Sequence, residues 1–472
     1  MNNKKSWGER AAPPRPPVFI TLVLSITLTS CMVGPDYHRP PAPMPANFKE
    51  LKGWTQAKPA DAAPKGDWWA VFNDPTLDRL ERRMLTENQT VAAQAATYDQ
   101  ARALVDEARA ALFPVLGATL GASRSGTGHK AISAVTAEAT ASWEIDVWGQ
   151  IRRQVESANA TAQQDAALLA NARLSAGAAL ATAYMELAVS DALQRVLNDT
   201  VTNDAKTLDI TRNQYAAGFA ARSDVITAQT QLESAQSSAI AVGVARGQYE
   251  HAIAVLAGMA PAELNIPPLA QLPPVPVIPV SVPSTLLERR PDIAAAERAM
   301  ASSNALIGVA IAAYYPTISL SGLFGFAGGG FGSLVSVGNE VWSAGGTVAE
   351  TIFNGGARSA AVAAARAQYN ETVATYRQTV LTALQQVEDQ LVALRLLQQQ
   401  AVVQDAAVRD ATQAVAITLN EYRAGTQAYT AVATAQNTLL SAQQNLLSIE
   451  QSRLTAAVTL ITALGGGWEA SK

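Results

Sequence analysis

The sequence predicts a mainly helical protein with membrane β-strands, built as a twofold internal repeat. Three observations carry this. Of 23 prolines, only Pro114 lies between Pro75 and Pro261, and none follows Pro316. Two long stretches therefore lack the commonest helix breaker. The runs "TAQTQLESAQ" (Thr227–Gln236) and "TAQNTLLSAQ" (Thr434–Gln443) agree at seven of ten positions, 207 residues apart. Ahead of each helical stretch the pattern switches to a two-residue alternation, the signature of a strand with unlike faces.

The N-terminus comes first. Lys4, Lys5, Arg10 and Arg15 precede an apolar run from Val18 to Leu28, too short to span a bilayer permanently and of signal-peptide form. Residues 1–30 read as a signal peptide. The run ends at Cys31, the single cysteine of the chain, which cannot make an internal disulfide. It is either an incidental thiol or the acylated first residue of the mature protein. Stable anchoring by lipid needs a second membrane contact, so a further membrane element is expected. The formal net charge is −4, and removing the basic N-terminus leaves the remainder more acidic. Nucleic acid is thereby excluded as a partner.

Residues 31–74 form an extended segment, and the first repeat covers residues 75–260. A Pro-rich connector, 261–284, contains "PPLAQLPPVPVIPVSVP" (Pro267–Pro283), whose natural state is extended. The second repeat covers 285–464 and a tail covers 465–472. Pro114 aligns with Pro316 at an offset of 202. Glu144, Gly149 and Arg152 align with Glu350, Gly355 and Arg358 at 206. Tyr215-x-x-Gly218 aligns with Tyr422-x-x-Gly425 at 207. The offset grows where loops between strands tolerate insertion.

Strands are expected at about 114–147 and about 315–353. From Val135 to Val147 the odd positions are Val, Ala, Ala, Ala, Trp, Ile and Val. The even positions include Glu138, Thr140 and Glu144. In the second half, Ile318, Leu320, Phe324 and Phe326 oppose Thr317, Ser319 and Ser321, and after the turn "GGGFGSL" Trp342, Ala344 and Val348 oppose Ser343 and Thr347. These are four strands in two hairpins. They either pack on a soluble domain or cross a membrane with Glu138, Thr140 and Glu144 facing a water-filled interior. Lipid admits strands only as closed barrels, and about eight strands is the minimum that closes. A membrane barrel must then be shared among subunits, and the residues alone allow two, three or more.

The remainder is helix, from about Gln150 to Tyr215 and from about Ala357 to Arg423. At 1.5 Å per residue each reaches roughly 100 Å, a length that calls for coiled-coil packing. Small residues such as those of "ANATAQQDAALLANARLSAGAALATAY" line the seams. Gly218 and Gly425 are placed to terminate the long helices in the left-handed conformation. Returning helices follow from about Asp224 to Leu256 and from about Tyr429 to Leu464.

Four ordered motifs then carry a resemblance: "MVGPDYHRP" after Cys31, "DWWAVFNDPTLDRL" (Asp67–Leu80), "LLERRPDIAAAE" (Leu286–Glu297) and "ALGGGW" (Ala463–Trp468). The chain resembles the TolC-like bacterial outer-membrane efflux channels, and among them the NodT-type lipoproteins. The resemblance implies a homotrimer whose twelve strands form one outer-membrane β-barrel continued by a periplasmic α-helical barrel. It implies acylation at Cys31 and a passive duct for small molecules such as drugs. Its partners would be outer-membrane lipid, a periplasmic membrane-fusion adaptor and an inner-membrane transporter that supplies the energy. No enzyme activity and no cofactor beyond the covalent lipid are expected. No phosphate-binding glycine loop is present, and His38, His129 and His251 lack metal-ligand spacing.

The resemblance also implies that the helix tips form the periplasmic aperture and the adaptor contact. That places Tyr215, Gly218, Asp224, Tyr422, Gly425, Thr430, Thr434 and Asn437 there. Relatives often read Tyr-Leu-x-x-Leu-Asp-Ala-Gln-Arg at the second tip, with the acid and the arginine constricting the pore. Here Thr430, Thr434 and Asn437 replace the first leucine, the aspartate and the arginine, which predicts a neutral closure. Asp224 reads either as the N-cap of the returning helix or as an acidic ring at the mouth. Glu421 and Arg423 read as solvated or inter-helix partners. Two other readings stay open: a structural coiled-coil lipoprotein without a pore, and a duct for metal or protein.

Overall fold

The computed structural model describes residues 32–51, 67–278, 280, 283 and 289–466. The expected signal segment, the expected lipidation position Cys31, part of the connector and residues 467–472 lie outside the described residues. The described residues divide into two compact units: a strand unit of residues 32–35, 111–153 and 308–358, and a helical unit formed by the rest of them.

In the order of the chain the helices are α1 Pro75–Glu87, α2 Gln89–Ala110, α3 Gln150–Ala216, α4 Arg222–Leu256, α5 Pro291–Ala312, α6 Ala357–Arg423 and α7 Tyr429–Ala463. α3 and α6 are each 67 residues long, and α4 and α7 are each 35. Among the described residues no helix is long and apolar enough to cross a membrane.

The start of α1 is set by local chemistry. Asp74 is its N-cap, accepting hydrogen bonds from Thr76 N and Leu77 N, and Pro75 occupies the first helical position, where a missing N–H costs nothing. Tyr184 of α3 donates to the second Asp74 oxygen at 2.7 Å, tying the cap to a long helix. The apolar face of α1 (Leu77, Leu80, Met84) joins Trp68, Trp69 and Phe72 in the main core. α3 adds Leu180, Tyr184, Met185 and Leu187, α6 adds Tyr376, Val380 and Leu391, and α7 adds Leu454 and Leu460. Each large aliphatic side chain buried there contributes about 1.5–3 kcal/mol.

The strand unit holds one antiparallel sheet in the order β1-β2-β3-β4, with β1 Val115–Thr127, β2 Lys130–Glu144, β3 Thr317–Gly328 and β4 Glu340–Ala349. β1 and β2 join through a two-residue turn in which Gly128 has φ 63°, a conformation glycine adopts without penalty. β2 stops at Glu144 because Asp146 turns back to the next helix. Its carboxylate accepts from Ile151 N at 3.1 Å and Arg152 N at 2.9 Å, and Arg152 Nε pairs with it at 3.0 Å.

Candidate functional site

The register divides the sheet into two unlike faces. Glu138 lies opposite Thr119 of β1 and Gly325 of β3, Thr140 opposite Gly117 and Leu323, and Glu144 opposite Ser319. Alternation along the strands puts Ser142, Ser321, Ser343 and Thr347 on the same face, with Val115, Ile132, Leu323 and Val341 as its large apolar members. The other face carries Leu116, Leu120, Trp143, Leu320, Phe324, Phe326, Trp342 and Val348. Phe324 and Phe326 meet edge to face at 6.2 Å. β1 and β4 are the sheet's edges, each with one side unpaired among the described residues.

The two helix tips share one backbone design. At the first, Gly218 N donates to Tyr215 O at 3.0 Å and Phe219 N to Gln214 O at 2.8 Å; at the second, Gly425 N donates to Tyr422 O and Thr426 N to Glu421 O, both at 3.0 Å. Gly218 and Gly425 have φ 78° and 75°. This is the Schellman ending of a helix, which needs a left-handed residue at that point. Ala221 and Ala428, both extended, then start α4 and α7.

The side chains break the equivalence. Tyr215 is 47% exposed, whereas its counterpart Tyr422 is 4% exposed. Tyr422 packs edge to face on Tyr429 at 5.7 Å and donates to Thr211 Oγ1 at 3.3 Å. With Leu208, Ala228, Leu232 and Val432 these two rings form a separate small core at the tips. Burial pushes the Tyr429 phenol up to about 12, with the negative charges of Asp204 and Asp224 adding to it. Burial also raises Tyr422.

Asp224 is the third residue of α4 and not its N-cap, which is Ala221. The alanine side chain cannot cap, so the Asp224 carboxylate reaches back to accept from Ala221 N at 3.3 Å. Thr430 and Thr434 are exposed. Thr434 donates its hydroxyl to Thr430 O, four residues back, at 2.8 Å, a bond within its own helix. Asn437 bonds to another helix. Gln231 Nε2 donates to Asn437 Oδ1 at 2.7 Å and Asn437 Nδ2 returns a bond to Gln231 Oε1 at 3.3 Å. This reciprocal amide pair joins the two returning helices.

Several residues near the tips escaped the sequence reading. Asp204 of α3 is 3% exposed, and its Oδ2 has no partner among the described residues. Burial pushes its carboxyl up to about 6. Gln436 donates to Thr207 Oγ1 at 3.1 Å while its own Oε1 is buried with no partner among the described residues. Asp204, Thr207 and Thr211 follow a three- and four-residue spacing that puts them on one stripe of α3, and that polar stripe was the available signal. Among the described residues no group of three or more His, Cys, Asp or Glu side chains converges as metal ligands would.

Comparison with known proteins adds a second line of evidence. A family model described as outer membrane efflux protein matches the chain over residues 80–259 and 282–466. A probable efflux pump outer membrane protein, TtgC of Pseudomonas putida, is 31% identical over 464 residues, 94% of this chain and 94% of that one. Nodulation protein T of Rhizobium leguminosarum bv. trifolii is 29% identical over 399 residues, 80% of this chain and 82% of its own length. The solved structure of the outer-membrane channel OprN matches with a TM-score of 0.87 at 29% identity, covering 93% of this chain and 100% of that one.

Proposed function

The chain belongs to the outer membrane efflux protein family, and on that premise we propose that it is the passive outer-membrane exit channel of a tripartite efflux pump. The observation that carries this reading is the sheet with one apolar face, one polar face and two unpaired edges. Apolar side chains on one face suit lipid, and Glu138, Thr140 and Glu144 on the other suit a water-filled pore. Lipid requires every backbone polar group to be paired, so the β1 and β4 edges need further copies of the chain. Three copies would close twelve strands, comfortably above the roughly eight that a barrel requires.

The paired lengths of the helices and the two stretches matched by the family model support reading residues 75–260 and 285–464 as two versions of one unit. The long helices of the three copies form a helical barrel in the periplasm, ending at the two tips. The tips form the aperture and meet a periplasmic adaptor, which links the duct to an inner-membrane transporter. Cys31 carries the lipid. The energy comes from the transporter, so the duct needs neither cofactor nor catalysis. Its cargo is small molecules such as drugs.

Purified protein reconstituted in planar bilayers tests the reading. Stepwise conductance with an oligomeric mass of three chains is expected. Protein that inserts no conductance at any voltage would instead be a pore-less structural lipoprotein.

A further inference from the structure

The motif "MVGPDYHRP" plays no part in the channel as described so far, yet its first residues are hydrogen-bonded into the strand unit. Val33 N donates to Trp148 O at 3.0 Å. Arg153, 1% exposed and among the largest fully buried side chains, directs Nε to Val33 O at 3.2 Å and Nη2 to Gly34 O at 3.3 Å. The guanidinium, with five donors in a planar fork, thus reads two consecutive carbonyls of the N-terminal segment.

Three glycines make the close approach possible. Gly34 has φ 93°, and a Cβ there would lie 2.4 Å from Gly308 Cα. A Cβ on Gly308 would in turn lie 2.8 Å from Arg153 Cγ, so the arginine stem lies flat across this glycine. Gly149 has φ 84°, and a Cβ there would lie 2.4 Å from Met32 Cγ. Each glycine faces a different member of the contact, so the seat fits one backbone path.

The seat lies at the foot of the sheet. Trp148, whose carbonyl takes the Val33 bond, donates Nε1 to Pro316 O at 2.8 Å and stacks on Tyr315 at 4.8 Å. Ile145 N donates to Ile318 O at 2.8 Å, so the same few residues join β2 to the start of β3. Cys31 is the neighbour of Met32, one Cα–Cα step of about 3.8 Å away.

We propose that Arg153 is the positioning residue of the lipid anchor: with Gly34, Gly149 and Gly308 it seats Met32–Pro35, which fixes the acyl chains of Cys31 at the foot of the membrane sheet. This rests on the reading that Cys31 is acylated. The bilayer then holds each subunit at two rigidly connected points, the acyl chains and the apolar sheet face, and the seat sets their relative height. A freely swinging lipid tethers a subunit to the membrane without orienting its strands for assembly.

The test uses the full chain expressed in a bacterium fed an alkyne-labelled palmitate, with three readouts: label on the protein, yield of heat-modifiable oligomer, and thermal unfolding of the helices. Arg153→Met and Gly34→Ala, which attack the seat from opposite sides, should keep the label and the helical unfolding but lose oligomer at least tenfold. Arg153→Lys, with one ammonium for two carbonyls, should fall between. Gly330→Ala, whose Cβ meets nothing within 4 Å, should match the parent. Combining Cys31→Ser with Arg153→Met should be no worse than Cys31→Ser alone, because an unlipidated chain has no anchor to position. Additive losses in that pair, or normal oligomer from Arg153→Met, would overturn the proposal. So would a loss of helical unfolding in both seat variants, which marks a general folding defect. A parent protein that takes no label refutes the acylation reading itself and leaves the conductance test untouched.

Discussion

The Arg246 guanidinium of α4 lies 2.6 Å from Asp191 Oδ1 of α3 and, through a second nitrogen, 2.6 Å from Ile266 O in the connector. The second Asp191 oxygen accepts from Leu269 N at 2.9 Å, and Glu250 accepts from both Arg246 and Ile266 N. A Pro-rich strip whose own tendency is to stay extended is therefore fastened to two helices by three charged side chains. Arg246→Ala leaves Asp191 buried at 3% side-chain exposure without its cation. Removing one partner of a buried pair costs about 3–5 kcal/mol, and roughly 2–4 is expected here because Arg246 keeps some solvent contact. Chemical denaturation of the purified protein, followed by helical circular dichroism, reads the loss. Arg246→Lys should recover less than half, since a single ammonium cannot fork to a carboxylate and a carbonyl together.

Glu81 of α1 is fully buried in the main core, neither carboxyl oxygen has a partner among the described residues, and burial pushes its carboxyl up to about 9. Gly177 makes room for it, since a Cβ there would lie 2.9 Å from Glu81 Oε2. The folded state thus holds a proton that an unfolded glutamate, near about 4.3, releases. The sign follows: stability from this group is complete below about pH 4 and declines as pH rises toward 9. Glu81→Gln should fold normally and flatten that decline. An unchanged slope of denaturation midpoint against pH between 5 and 9 would count against a neutral Glu81.

Asp204 obeys the same rule in a lower window. With its carboxyl raised to about 6, its unpaired oxygen costs stability as pH climbs from about 4 through 6. Asp204→Asn should stabilise the tips by roughly 1 kcal/mol at pH 8, the lower end of the cost of a buried unpaired polar group. At pH 4 it should change nothing. Hydrogen exchange of α3 near Thr207 and Thr211, measured at both pH values, separates these outcomes.

These residues also mark how far the sequence could be read. Alternation from Val135 to Val147 reveals a strand because neighbouring side chains point to opposite faces, a purely local property. Gly218 and Gly425 are legible for a similar reason, since a left-handed residue is a local demand. The different burial of Tyr215 and Tyr422 is not local. Both stand three residues before a glycine, and only the packing of Tyr429, Leu208 and Val432 around one of them decides which is covered. Capping illustrates the same limit: the sequence offers Asp224 as a cap, but the chain turns at Ala221 and makes the aspartate reach back. The link between Gln231 and Asn437 joins residues 206 apart, and neither residue announces it.

That amide pair links α4 to α7 in an exposed contact. A neutral hydrogen-bonded pair contributes about 1 kcal/mol, which corresponds to roughly fivefold in an equilibrium. Asn437→Ala should therefore raise open probability in planar bilayers about fivefold if the tips are the aperture. Gln231→Asp combined with Asn437→Arg replaces the amides by an ion pair and should lower open probability below the parent, with the difference shrinking in high salt. Equal conductance in all three proteins would separate this pair from the gate.

The two faces of the sheet make opposite demands on neighbouring residues of one strand. Thr119 and Leu120 are adjacent in β1. Thr119 lies across from Glu138 on the polar face, and Leu120 lies across from Ala137 on the apolar face. An arginine facing lipid costs about 2–4 kcal/mol near the middle of the bilayer. An arginine beside Glu138 in a water-filled interior gains a carboxylate partner instead. Leu120→Arg should therefore abolish heat-modifiable oligomer and membrane conductance. Thr119→Arg should leave assembly intact and shift the reversal potential toward anions. If both variants assemble equally well, neither face meets lipid, and the strands belong to a soluble sheet.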